Sequence, residues 1–554
     1  MTWDARARLP RRLATDDLPD ECAVAVIGSG FGASVVAARL AGQVPPGELV
    51  VLERGRERVP GEFPTSFSEV RSNVRSRRNP LGLFELSLGR DVDRLVANGL
   101  GGGSLIYANV MLEPRADAFG GWPEAVDSVS LRPYFDRVRA VLRPEEVAGD
   151  VPKASALAAL GAAKGVRPTR VPVAVNLSRP PGPDLIGAPQ ALCTSCGNCV
   201  TGCNVGAKTT MWASYLPMAL AAGARIVTRA EVDLIRPSAR PGRRWLVSGR
   251  RFSEARGRVA AEPFELHADV VMIGAGAVGT TGILLRSAAA GLPVSAALGR
   301  RFSGNADSLA VSYNSGQRGS GTGSSDPFAP RPPVGPTITT ALDLRHEGGG
   351  YLLQDGALPH GLAEAIRRVL GLRFALSGDK KIWCDLRPGG CPPGCGAIEH
   401  SQVWLAMGTD SAEGIVRLDR RGRPQISWTD VGRQQVYRDE AADLSWLSQG
   451  TEARHVGNPR HALLGAGIPS TTPVTVHPLG GAVMSDDPAT GACDADGRVR
   501  SRGGEVHEGL YVTDGALVPT STGANPALTI AALAERVAEV LASRDLPRLL
   551  GAAS

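Results

Sequence analysis

Residues 22–34 read CAVAVIGSGFGAS, and the fold turns on this stretch. Cys22–Ile27 is a short apolar run of the kind that forms a parallel strand buried on both faces. It passes into a glycine-rich turn and then into VVAARLAG, whose apolar spacing is helical. ELVVLERG (48–55) follows as a second buried strand ending in an acid. Strand, turn, helix and strand make a βαβ unit. Gly28, Gly30 and Ala33 supply the G-x-G-x-x-G/A pattern between strand and helix. The first glycine permits the tight turn, the second lets the backbone approach a pyrophosphate, and the small third residue lets helix and strand pack closely. Free N–H groups at the helix start favour that anion. Glu53 lies where an acid accepts hydrogen bonds from an adenosine ribose. The spacing predicts a dinucleotide-binding domain.

A second match, Gly274, Gly276 and Gly279, sits in ADVVMIGAGAVGTTGILLRSA (268–288). It has two readings. One is a second nucleotide site for NAD(P)H, with Arg300 and Arg301 about where a 2′-phosphate partner would fall. The other, which we prefer, is a strand of the first domain whose glycine turn passes close to the same cofactor, because GRRFSGN ends no second apolar strand.

Elsewhere the chain is that of an ordinary globular enzyme, 43% apolar and 21% charged, and its 554 residues are enough for two domains. A net charge of +6 on 61 basic and 55 acidic residues does not argue for nucleic acid. No apolar run is long enough to span a bilayer, and the start has no secretory pattern, so a cytoplasmic enzyme is expected. The Arg-rich stretch 71–79 reads as a solvated loop, and 316–336 (GQRGSGTGSSDPFAPRPPVGP) as a mobile loop or lid. Strand-like runs such as YLLQ and VWLAMG within 337–470 predict an α+β insertion rather than a repeated βαβ pattern.

Four blocks, GSGFGAS with Glu53, NGLGGGSLIYANVMLEP (98–114), ADVVMIGAGAVGTTGILLRS with LGRRFSGNAD (298–307), and HPLGG with LYVTDGALVPTSTGANPALTIAALAERV, resemble the glucose–methanol–choline family of flavoprotein oxidoreductases. The last block looks most like the cholesterol-oxidase branch. The resemblance implies an α/β fold: a doubly wound FAD-binding domain (20–115, 205–310 and 470–545) interrupted by an α+β substrate domain with a large sheet (116–204 and 311–469). It implies FAD as cofactor, covered by Gly101, Gly102, Gly103 and Ser104, with Asp514 and Gly515 closing over the pyrophosphate and ribityl chain. His477 and Asn525 match the family's polar pair above the flavin ring. Ile106-Tyr107 departs from the Val-Asn usual in the sterol branch, and no counterpart of that branch's substrate-domain carboxylate is evident.

These residues suit alcohol oxidation, which removes a hydride from carbon and a proton from oxygen. A histidine takes the proton near neutral pH, and an asparagine can hold the substrate oxygen. Pro526 fits a first helical turn with Asn525 as its cap, which would aim the helix's positive end at the flavin. Without its surrounding motif, His477 would read as a core histidine. No histidine lies beside NGLGGGS, so a covalent flavin is not expected.

Nine cysteines in a reducing compartment are expected as thiols or metal ligands. Cys193, Cys196, Cys199 and Cys203 form C-x2-C-x2-C-x3-C, the bacterial ferredoxin ligand run without its following proline. A 4Fe-4S or 3Fe-4S cluster, a zinc knot and free thiols are the alternatives. A remote ligand is a possibility, with Cys384, Cys391 and Cys395 as candidates. Some family members, the membrane-associated sugar dehydrogenases, carry a cluster near this region. A cluster would pass electrons to an outside redox protein or quinone, and its absence would favour O2. The rival function is an NAD(P)H-dependent iron–sulfur flavoprotein serving a partner; a third is a non-redox protein on the flavin fold.

Overall fold

The structure is a computed structural model that describes residues 12–180, 182–183, 189–255, 258–316, 321–330, 333–346, 349–387, 395–458 and 472–551. The Glu21–Ile27 strand is buried from Cys22 onward, as a central parallel strand with both faces covered must be. It pairs in parallel with Leu49–Leu52 on one side and Arg258–Ile273 on the other. Arg225–Val227 continues the sheet past Leu49–Leu52, and Val506–Val512 past Arg258–Ile273. The chain thus winds outward in one direction and then in the other, which is the doubly wound α/β arrangement. Its switch point lies between Glu21–Ile27 and Arg258–Ile273, where such sheets bind ligands beyond the strands' carboxyl ends. Both glycine turns lie at those ends.

Helix Phe31–Leu40 packs beside Tyr215–Ala221 and Ala527–Val540. Arg39 bridges to Glu535 at 2.7 and 2.8 Å, and Tyr215 Oη donates to the same carboxylate at 2.9 Å. The last helix is thereby fixed to the first.

Among the described residues a second, antiparallel sheet has six strands in the order Arg454–Val456, Ser308–Tyr313, Gln402–Gly408, Tyr351–Gly356, Thr340–Asp343, Thr169–Arg170. Side chains alternate across it. Tyr351, Leu353 and Trp404 face Leu157, Leu444 and Leu447 of two covering helices. Leu352, Leu405 and Met407 face the other way, onto Val110, Val173, Val205 and Val476. That second face is apolar and adjoins His477.

The loops expected from sequence differ in part. In 71–79, Arg71, Arg77 and Arg78 are exposed, but Arg75 is tied down: its guanidinium bonds Glu85 at 3.3 Å and Glu231 at 2.7 Å. The 316–336 stretch, where described, is pinned rather than free. Ser324 N–H donates to the Cys196 carbonyl at 2.9 Å, and Val334 N–H to that of Ser195 at 2.8 Å. Residues 317–320 and 331–332 lie outside the described residues.

Candidate active site

The two glycine turns press against each other. Gly28 has φ +95°, and a Cβ there would lie 2.2 Å from the Gly274 carbonyl oxygen. A Cβ at Gly274 would meet that of Ala33 at 2.7 Å, so close packing requires both small residues. The helices behind the turns differ in one decisive respect. Phe31–Leu40 begins with no side-chain cap and no acid in its first turn, and Gly30 faces open space. An anion can therefore rest there. At the second turn Asp514 Oδ2 accepts from Gly276 N–H at 2.7 Å and Thr280 Oγ1 at 2.5 Å. The protein's own carboxylate fills that position, which disfavours a second pyrophosphate. The Asp514 side chain is thereby committed to the start of the Ala277–Ala289 helix, and burial pushes its pKa up to about 6.

Gly101–Ser104 closes over the first turn. Gly102, at φ +53°, lies so near Gly30 that a Cβ would stand 2.6 Å from the Gly30 Cα, while Gly103 faces open space. Gly101 N–H donates to Ser29 Oγ at 3.0 Å, and that hydroxyl donates to Glu53 at 2.5 Å. Ser104 Oγ donates to the Gly101 carbonyl at 2.6 Å and accepts from Met211 N–H at 2.9 Å. Glu53 also accepts from Gly55 N–H, and burial raises its pKa against these bonds. An ion network clamps this loop to the Glu53 strand: Arg54 donates to Asn98 Oδ1 at 2.8 Å, and Arg54, Arg75 and Arg94 converge on Glu85.

The polar pair is assembled by one segment, Ser303–Asp307. Asp307 Oδ1 lies 2.8 Å from His477 Nδ1, and its Oδ2 accepts from Val476 N–H, His477 N–H and Thr475 Oγ1. Asn305 Oδ1 accepts from Thr522 N–H at 2.9 Å and Gly523 N–H at 3.1 Å, and its Nδ2 donates to the Ala524 carbonyl at 3.0 Å. The left-handed backbone at Asn305 (φ 56°) and Ala306 (φ 46°) turns the two side chains to opposite tasks. Asp410 braces it by accepting from Gly304 N–H and Ala306 N–H.

Asn525 does not cap the last helix as expected. Pro526 takes the N-cap position of Ala527–Val540 without a side-chain bond. The Asn525 amide instead faces Gln354 of the second sheet, accepting from Gln354 Nε2 at 2.8 Å and donating to its Oε1 at 3.3 Å. Asp307, Asn305 and Gln354 were not assigned from sequence. Asp307 and Asn305 stood within LGRRFSGNAD, but nothing local marks their partners. HPLGG meets Gly515 through Gly480 N–H, which donates to the Gly515 carbonyl at 2.8 Å.

Comparison with known proteins bears on this arrangement. The family models for GMC oxidoreductase match residues 82–303 and 436–534, together more than half of the chain. The chain belongs to the GMC oxidoreductase family. A protein named cholesterol oxidase from Mycobacterium tuberculosis is 28% identical over 93% of this chain and 90% of its own length. Another of that name, from Acinetobacter baumannii, is 26% identical over 92% of each. Pyridoxine 4-oxidase from Mesorbium loti superposes with a TM-score of 0.59 at 17% identity, covering 94% of this chain and 98% of its own. A fungal aryl-alcohol oxidase gives 0.57 at 18%, covering 95% and 99%.

As a GMC oxidoreductase the protein is a flavin-dependent alcohol oxidoreductase, and members of the family bind FAD. The residues here fit that cofactor. The uncapped helix start at Gly30, the Ser29-bound Glu53 and the space beside Gly103 form a continuous cradle. Asn109, behind the Gly101–Ser104 loop in sequence, is buried with both amide atoms lacking a partner in the protein. A buried amide in that state calls for a ligand or water.

Next to this cradle, Cys193, Cys196, Cys199 and Cys203 line a single cavity with Asn198, Lys208 and Pro336. Lys208 Nζ donates to the carbonyls of Leu105, Tyr107 and Cys199 at 2.8–3.0 Å, joining the cysteine segment to the loop over the first turn. Tyr107 packs edge-on to Phe31 of the first helix. Burial pushes the Cys196 thiol up to about 12. Cys384 is disulfide-bonded to Cys395, which corrects the expectation that the cysteines are thiols or ligands and removes both as remote ligands. Cys391 lies outside the described residues.

Proposed function

We propose that this enzyme oxidises a bulky, largely apolar alcohol to its carbonyl, with His477 as the base. The observation that carries the reading is that Ser303–Asp307 binds the His477 segment with Asp307 and the loop before Asn525 with Asn305. FAD held in the cradle of Gly28, Gly30, Glu53 and Gly101–Ser104 would supply the hydride acceptor for the carbinol carbon. Asp307 fixes the ring so that Nε2 is left to take the hydroxyl proton. Asn525 keeps one N–H for the substrate oxygen while Gln354 holds its amide in place, which favours a near-attack pose. The uncapped start of Ala527–Val540 favours negative charge on the cofactor side. The names of the relatives make a sterol the first class of alcohol to test. Anaerobic flavin bleaching across a panel of alcohols tests the proposal. His477→Ala should slow bleaching by roughly 10²–10⁴ with FAD still bound, whereas a wild-type rate would put the base elsewhere. Bleaching by NADPH without alcohol would favour the rival electron-transfer flavoprotein.

The four-cysteine cavity supports an iron–sulfur cluster as a second cofactor. The run has ferredoxin spacing, and all four thiols reach one space. Among the described residues no group of three His, Cys, Asp or Glu side chains is set to hold a metal ion, so the support for the cluster is the spacing of the run and the shared cavity. With Lys208 and Tyr107 between cavity and flavin cradle, such a cluster would hand electrons to a redox partner rather than to O2.

A further inference from the structure

The helix His360–Phe374 leaves the second sheet just after the Tyr351–Gly356 strand, which carries Gln354. Its fifteen residues run about 22 Å. At its far end Leu372 is 69% exposed and Leu376, one turn on, is 102% exposed. Trp383, on the following helix Lys380–Leu386, is 55% exposed. The two helices pack tightly, since a Cβ at Gly371 would meet Leu386 Cδ2 at 2.9 Å. The Cys384–Cys395 disulfide and the stacking of Phe374 on Tyr313 hold this end to the body. The tip is therefore a built structure that leaves three large apolar side chains in water.

The fully exposed charges around it are basic: Arg368, Arg373 and Lys380. Of the segment's three acids, Glu364 lies at the other end of the first helix beside His360. Asp385 is buried beside Arg367 and accepts from Ile398 N–H, while the half-buried Asp379 caps the second helix and accepts from Asn314 Nδ2. Leucine and tryptophan within a basic rim are the chemistry of an interfacial membrane contact, in which apolar groups enter the acyl boundary and cations meet anionic headgroups. Self-association through a two-fold axis is disfavoured, because the same basic rims would face each other. No helix of the described residues is long and apolar enough to cross a membrane, so the contact is with the surface.

We propose that the tip formed by Leu372, Leu376 and Trp383, rimmed by Arg368, Arg373 and Lys380, docks the enzyme on an anionic lipid surface. The test is co-flotation of the FAD-loaded enzyme with phosphatidylcholine/phosphatidylserine vesicles and with phosphatidylcholine vesicles. Retention is expected on the anionic vesicles and should weaken with salt. Leu376→Asp should lower it at least about tenfold. Arg373→Ala and Lys380→Ala should each lower it about fivefold. All three variants should keep wild-type flavin reduction by a water-soluble alcohol. Brominated acyl chains should quench wild-type emission more than that of Trp383→Phe. No retention on anionic vesicles, or retention unchanged in Leu376→Asp, would overturn the proposal. A wild-type dimer that Leu376→Asp converts to monomer would also overturn it and assign the face to a second copy.

Discussion

Asp307 grips His477 at two points: one carboxylate oxygen lies 2.8 Å from Nδ1, and the other accepts the histidine's own N–H at 3.0 Å. Ring and main chain are thus fixed by one fully buried group. The bond to Nδ1 selects the tautomer whose Nε2 is free to accept a proton. Asp307→Asn keeps the volume but can present its N–H to the ring and reverse that preference. Flavin reduction should slow by roughly 10²-fold, by analogy with the loss of other orienting carboxylates, with FAD content unchanged. Wild-type reduction in this variant would show that His477 needs no orienting carboxylate.

Gln354 plays the corresponding part for Asn525 from the other sheet. Gln354→Leu should leave the Asn525 amide free to rotate. The reduction rate at saturating alcohol should fall about tenfold, equivalent to one lost hydrogen bond, with little change in KM. A change in KM alone would mean that the pair shapes binding rather than orientation.

Gly28→Ala tests the cradle. The added Cβ would collide with the Gly274 carbonyl at 2.2 Å in a backbone conformation that side chains rarely adopt. The purified variant should carry little flavin or fail to accumulate as folded protein. Full FAD occupancy at wild-type stability would contradict the packing of the two turns.

Acid stability should depend on Glu85. Burial raises its pKa, but Arg54, Arg94 and Arg75 outweigh that and hold it at about 2. With the folded value below the ordinary 4.5, the unfolded chain takes up the proton first as pH falls. The carboxylate's stabilising contribution is full above pH 4.5 and is lost on the way down to about pH 2. Glu85→Gln should cost about 3 kcal/mol at neutral pH and flatten this part of the stability profile in denaturant titrations. A parallel loss of stability in both proteins below pH 4.5 would assign the acid sensitivity to other groups.

Iron analysis of anaerobically purified enzyme tests the cysteine cavity. About three to four irons per chain are expected for one cuboidal cluster. Cys196→Ser should lose the iron and turnover with a one-electron acceptor, yet retain FAD and its bleaching by alcohol. Iron-free anaerobic enzyme with full activity would leave the cysteines a structural knot and O2 the favoured acceptor.

The sequence by itself determined the first βαβ unit, because a buried strand and a glycine turn are written in consecutive residues. The places of Gly28, Gly30 and Ala33 in that turn and of Glu53 at the end of the next strand could be read for the same reason, as could the cysteine spacing. Tertiary structure decided which of the two glycine turns keeps an open helix start, because the competing anion, Asp514, comes from a strand end more than two hundred residues away. It decided that Asn525 turns to Gln354 rather than capping its own helix, and that Asp307 orients His477. It also bonded Cys384 to Cys395 while Cys193, Cys196, Cys199 and Cys203 shared a cavity. These contacts join segments with no common periodicity, and a hydrogen bond between such segments leaves no mark in the local order of residues. Local rules thus carried the first glycine turn, while the groups that hold His477 and Asn525 emerged only when the two sheets were brought together.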